Sequence, residues 1–247
     1  MGGQTGSWFG AAEEAWETAA YTFAAMKSAP STTDPHPSPS PTGRTNDPVR
    51  TMSNILEVAM AEFAEKGLAG ARIDEIAAET HTSKRMIYYY FQNKEGLYLA
   101  ALEEAYRRVR TTEGELKLDD LEPEAALRRL VEFTFDHHAG NEPYIRMVMS
   151  ENINRGQFLA QSRSIQALNL QAIAAVEKLY ARGVAQGVFR PGLDPVDIHA
   201  SISALSFFNV SNRHTFGMIF KRDFAAPAVA TLRRASIVDM VVRFVKK

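Results

Sequence analysis

Hydrophobic residues recur along most of the chain at steps of three and four, the period of a helix with one buried face. Ile55, Leu56, Ala59, Met60 and Phe63 form one such series, and Leu127, Leu130, Val131, Thr134 and Phe135 form another. No set of alternating positions joined by hairpin turns stands out, so strands are not expected. The spacing predicts helices over 48–66, 73–80, 83–90, 94–112, 122–138, 142–152, 158–187, 194–217 and 226–246, an all-α chain. Prolines sit where these helices begin, at Pro48, Pro123, Pro143, Pro195 and Pro227. A residue without an N–H is tolerated in the first turn, whose donors have no partner inside the helix. Asp47 and Asp194 add a capping carboxylate ahead of two of them.

The pattern changes before residue 47. Trp8, Ala12, Ala15, Trp16, Ala19, Phe23 and Met26 suggest a short amphipathic helix or tail over 1–27. Six of the eleven prolines then crowd with Ser and Thr between Ser28 and Pro48, a composition too poor in apolar groups to offset its ordering entropy. Residues 28–46 are expected to be an extended linker. At the other end, the helices over 194–217 and 226–246 are apolar over a wide arc, through Ile198, Ile202, Leu205, Phe207, Phe208 and Val210 and through Val229, Leu232, Ile237, Val241, Phe244 and Val245. That is more apolar surface than one small helical domain uses, which points to a dimer interface as well as a core.

Composition narrows the chemistry. With 247 residues and 45% hydrophobic positions the chain can build a substantial core, and with no cysteine it has no disulfide, thiolate metal site or cysteine nucleophile. No apolar run approaches a membrane span and no signal peptide is recognisable, so a cytoplasmic protein with no membrane partner is expected. The 28 basic and 29 acidic side chains give a net charge of −1, so any affinity for nucleic acid must come from a local patch. Residues 72–94 supply one. A short helix with Ile73, Ile76 and Ala77 inward leads through a tight turn at His81 to a Ser83 cap and a second short helix anchored by Ile87 and Phe91. This is a helix-turn-helix pattern. Ser83, Lys84, Arg85, Tyr88 and Tyr89 are left facing outward, and from Thr80 to Lys94 there are three basic residues and no acidic one. Lysine and arginine reach phosphates or guanine edges, and phenols donate to phosphates.

The segment resembles the DNA-binding domain of TetR-family transcriptional regulators, through Ile55–Phe63, Glu65-Lys66-Gly67, Ile76-Ala77, Ser83, Ile87-Tyr88, Phe91 and Asn93-Lys94-Glu95-Gly96-Leu97. It departs from that family's pattern at Thr80-His81, where Ala-Gly is usual, so His81 is expected in a left-handed conformation. The resemblance implies a three-helix DNA-binding domain over 47–95 and a helical ligand-binding and dimerisation domain over 96–247. It implies base-edge contacts from Ser83, Lys84, Arg85 and Tyr89, with Thr82 and Met86 at the margin, and phosphate contacts from Tyr88, Tyr90 and Lys94. It also implies a homodimer through helices 194–217 and 226–246, a palindromic double-stranded DNA operator, and repression relieved by a small-molecule effector.

The effector pocket is expected between helices 122–138, 142–152, 158–187 and 194–217. His137, His138, Tyr144, Arg146, Met147, Asn152, Phe158, Asn169, Phe207, Phe208 and Asn212 are its candidates by composition. No cofactor and no metal are expected, because adjacent histidines diverge by about 100° on a helix and His199 and His214 fix no coordination set. An enzyme is disfavoured by the lack of a nucleophile elbow, phosphate loop or zinc-protease helix. A dimerisation module without DNA binding is disfavoured by the intact basic face. Activation and ligand-independent regulation are open alternatives within the same family.

Overall fold

The computed structural model describes residues 47–247. The expected helix over 1–27 and linker over 28–46 lie outside the described residues. Within them the chain forms ten α-helices, named here α1 to α10, and no strand beyond one isolated bridge between Phe189 and Lys246.

A long first helix is followed by two short ones. α1 runs over Pro48–Gly70, with the Asp47 carboxylate accepting from the N–H groups of Val49 and Arg50 and the helical path interrupted at Gly67 (φ 66°). α2 spans Ile73–Glu79 and α3 spans Lys84–Phe91. His81 between them has φ 51°, the left-handed conformation expected of that position. Asn93 caps α4 (Lys94–Gly114), its Oδ1 accepting from Gly96 N at 2.7 Å. A side chain at Gly96 would meet the carbonyl of Phe91, since a Cβ there would lie 2.2 Å from that oxygen. Glycine is therefore what lets α3 turn into α4 at this distance.

The remaining helices are α5 (Pro123–Gly140), α6 (Glu142–Ile153), α7 (Arg163–Ala185), α8 (Pro195–Ser211), α9 (Arg213–Phe220) and α10 (Pro227–Val245). Two of the expected helices differ. The helix expected over 158–187 begins only at Arg163, because the chain first makes a 3-10 turn over Leu159–Gln161 and then an extended step at Ser162, which caps the helix. Buried Glu151 holds that turn by accepting from the N–H groups of Phe158 and Leu159 at 3.2 and 2.9 Å. The helix expected over 194–217 is two helices, broken at Asn212. No glycine or proline marks this break. Polar side chains stand there instead, with Asn212 Nδ2 bonded to Ser211 Oγ and Thr215 Oγ1 to the Asn212 carbonyl, local bonds that compete with a continuous helix.

Two apolar clusters organise the packing. One joins Ile55, Phe63, Ile76, Ile87, Leu97, Tyr98 and Leu102 from α1–α4 to Met147 of α6 and Ile165 of α7. Phe63 and Phe158 meet the Tyr98 ring edge-on, with centroids 5.0 and 5.1 Å away. The other joins Leu127, Leu130, Val131 and Phe135 of α5 to Val176 and Leu179 of α7, Ile198 and Ile202 of α8, and Ile237 to Val245 of α10. Phe189 closes the second cluster against Gly183, where a Cβ would lie 1.9 Å from the ring. Because Met147 and Ile165 sit in the first cluster, the helix-turn-helix is built onto the C-terminal helices by shared core and not by a hinge at residue 95 alone.

Candidate nucleic-acid interface and effector cavity

α3 is fixed from beneath by Ile87, which has no exposed surface, with Phe91 half-buried behind it. A helix of eight residues anchored on one side must present the other, and Ser83, Lys84, Arg85, Tyr88 and Tyr89 are exposed together on it. The cap Ser83 Oγ accepts from Met86 N at 3.2 Å, so one of its two lone pairs already serves the helix. Lys84 Nζ lies 2.5 Å from Asp74 on α2, which keeps the Asp74 carboxyl below its ordinary range and lifts the lysine. Arg85 is exposed beside it. Tyr90 is half-buried between the rings of Tyr89 and Phe91, and burial raises its phenol. Lys94 donates from Nζ to the Ala69 carbonyl at 3.2 Å, so it fastens the end of α1 while standing at the N-terminus of α4. The seven residues expected to contact DNA thus fall into an exposed group of Ser83, Lys84, Arg85, Tyr88 and Tyr89 and a half-buried pair, Tyr90 and Lys94.

Further along the chain, five helices enclose a cavity of about 210 Å³. α5 contributes Phe133, Thr134, His137 and His138, and α8 contributes His199, Ser203 and Phe207 at four-residue steps. Tyr144 and Val148 come from α6 and Asn169 from α7. α4, which sequence reading left out, supplies Tyr106, Val109, Arg110 and Glu113, at the three- and four-residue steps of one helix face. A cation and a carboxylate on an otherwise apolar helix stripe were the signal that could have placed them.

Of the residues expected in the pocket, His137, His138, Tyr144, Asn169 and Phe207 line this cavity. The others lie elsewhere, each for a visible reason. Met147 is buried in the cluster beneath the helix-turn-helix. Phe158 packs on Tyr98. Asn152 is exposed, its Nδ2 returned to the Val148 carbonyl. Phe208 is 38% exposed and meets Phe216 edge-on, and Asn212 forms the break between α8 and α9. Arg146 points to the DNA-binding end: Nε donates to the Ala64 carbonyl at 2.7 Å and Nη2 to the Glu65 carbonyl at 3.2 Å. These are carbonyls near the end of the regular part of α1, which a cation complements.

Inside the cavity Arg110 is held by Glu113, in contact with Nη1, and by Asn169 Oδ1, which accepts from Nη2 at 2.8 Å. Burial, aided by the Arg110 charge, lowers His137, lowers His199 to about 4, and with added repulsion from neighbouring imidazoles lowers His138 to about 3. All three imidazoles are therefore neutral near pH 7. Burial raises the phenols of Tyr106 and Tyr144. Among the described residues no cluster of three or more His, Asp or Glu side chains is arranged to hold a metal ion. None of the described helices is long and apolar enough to cross a membrane.

Comparison with known proteins places this architecture. Residues 55–101 match the model for bacterial regulatory proteins of the tetR family, and residues 123–241 match the tetracyclin repressor-like C-terminal domain. The chain is 32% identical to the HTH-type transcriptional repressor NicS of Pseudomonas putida over 80% of this chain and 93% of that protein. It is 34% identical to the HTH-type transcriptional repressor SCO4008 of Streptomyces coelicolor over 56% of this chain and 69% of that protein. A crystal structure of the putative transcriptional regulator SCO4942 from Streptomyces coelicolor superposes with a TM-score of 0.59 at 29% identity, covering 79% of this chain and 98% of that one. An exposed, partly cationic recognition helix on a shared core, followed by a helical body matching the second domain, leads to one assignment: the chain belongs to the TetR family of DNA-binding transcriptional regulators, and is not an enzyme.

Proposed function

We propose that this regulator acts as a homodimeric repressor that leaves a palindromic operator when a small molecule fills the cavity between α4 and α8. The exposed group on α3 carries the DNA-binding part of the reading, since Ile87 beneath it fixes which side chains can meet a duplex. Arg85 and Tyr89 are assigned to base edges, with Ser83 and Lys84 beside them, and Tyr88, Tyr90 and Lys94 to phosphates. Dimerisation through α8 and α10 is supported by apolar side chains left in water on one chain: Val196, Phe208, Leu232, Met240 and Phe244 are 38% to 62% exposed. Pairing two chains there would set two α3 helices in twofold register, as a palindrome requires. The names of the two curated relatives, both repressors, support the sign of regulation.

Release follows from linkage. A ligand that favours the arrangement with the wrong α3 spacing weakens DNA binding by its differential affinity for the two arrangements. The test is a fluorescence-anisotropy titration of the DNA upstream of the gene, run beside sedimentation analysis of the free protein. Salt-dependent binding of a dimer to a palindromic segment is expected. A monomer at all concentrations, or equal affinity for every sequence, refutes the proposal.

A further inference from the structure

The cavity has a chemical bias that bears on what fills it, and the inference rests on the reading of this cavity as the effector site. Several of its polar groups are already committed to one another or to the backbone. Asn169 Oδ1 and one Glu113 oxygen take the two terminal nitrogens of Arg110, and the Asn169 amide donates to the Ile165 carbonyl at 2.8 Å. Thr134 Oγ1 returns to the Leu130 carbonyl at 2.9 Å. Three buried nitrogens are left over. Arg110 Nε is buried without a partner and can only donate, and the Nδ1 atoms of His137 and His138 are likewise buried and unpartnered. A neutral imidazole can place its proton on either ring nitrogen, so both can serve as donors. His138 is 7% exposed, so its unmet nitrogen is enclosed.

Charge points the same way. A cationic ligand would face the Arg110 guanidinium, whose one carboxylate neighbour in the cavity, Glu113, is committed to it. An anion would be drawn to that guanidinium, and the neutral imidazoles of His137 and His138 can each turn an N–H toward it. The walls are aromatic: the Tyr144 ring lies 5.5 Å from Tyr106 and 6.1 Å from His138, and the Phe207 ring 6.2 Å from His138. About 210 Å³ is smaller than the cavities that enclose drug-sized compounds. We propose that the effector is a small organic anion, a carboxylate on a flat unsaturated ring, with its head against Arg110 Nε and the His137 and His138 imidazoles and its ring between Tyr144 and Phe207.

Benzoate, neutral benzamide and cationic benzylamine share one ring and differ in the head, so they are suitable probes. Titration calorimetry and thermal shift of the full chain should show benzoate binding at least tenfold more tightly than benzamide, with no shift from benzylamine. Arg110→Met should remove that tenfold preference. Because it strands Glu113 in a buried setting, the double variant Arg110→Met/Glu113→Met is measured beside it, and it should also bind benzoate no better than benzamide while melting cooperatively. Benzamide or benzylamine binding as tightly as benzoate, an unchanged preference in the double variant, or no binding of benzoate overturns the anion assignment. Benzoate binding that depends on Arg110 but leaves operator affinity unchanged overturns the effector reading and leaves the ligand class standing.

Discussion

Three neutral imidazoles enclosed beside an arginine make the fold acid-sensitive in a window where carboxylates contribute little. An imidazole whose pKa is lower in the folded chain than the ordinary 6.5 binds fewer protons folded than unfolded, so stability rises with pH between the two values. It is lost as pH falls below about 6.5, and the loss continues down to the folded value, about 4 for His199 and about 3 for His138. The slope is about 1.4 kcal/mol per pH unit for each group. Between pH 6.5 and 5 both lie in their windows, so each costs about 2 kcal/mol and the pair about 4. Against a total of roughly 5–15 kcal/mol for a folded domain, that is a large share. Urea unfolding at pH 7 and pH 5, at one fixed protein concentration so that subunit association does not enter, reads it directly. His138→Phe should remove about 2 kcal/mol of the difference by abolishing one titration, and His138→Phe/His199→Phe about 4, leaving the share of His137. A midpoint unchanged between pH 7 and 5, or a difference that the double substitution does not reduce, refutes the account.

On the DNA side, Arg85→Ala should weaken operator binding by about 1–3 kcal/mol and relax specificity, while Tyr88→Phe and Lys94→Ala weaken binding to all sequences alike, as competition anisotropy would show. Asp74→Asn releases Lys84 from its ion pair and removes a negative charge beside α3; affinity for a random-sequence duplex should rise and the slope of log K against log salt should steepen by about one. Met147→Ala opens a hole in the cluster joining α6 to the DNA-binding helices and should cost about 2–5 kcal/mol in urea unfolding, a result near zero refuting the shared core.

The helix-turn-helix was legible because its rules are local. Ile73, Ile76, Ile87 and Phe91 fix a face by spacing, Asp47 and Ser83 occupy cap positions, and His81 adopts the backbone that its place in the turn demands. The cavity was half legible, since its residues come from five helices and their convergence depends on how those helices are rotated in the packed body. His137, His138, Tyr144, Asn169 and Phe207 were found by residue type. Tyr106 and Arg110 were not, because the same helix serves the DNA-binding core through Leu97 and Leu102 in its earlier turns. Met147 shows the opposite error: an apolar residue three positions from the cavity residue Tyr144 faces another core. The break at Asn212 left no strong mark, because only side-chain competition with the backbone makes it.

The twelve residues of α6 link the two halves in a way that limits how the protein can change. Tyr144 and Val148 form part of the chamber wall, while Arg146 and Met147 between them grip the base of the DNA-binding helices. A mutation that reshapes the chamber by tilting this rod also resets the angle at which the duplex is met. With the chamber as the proposed effector site, inducer range and operator preference share one mechanical part, and selection on either is felt by the other.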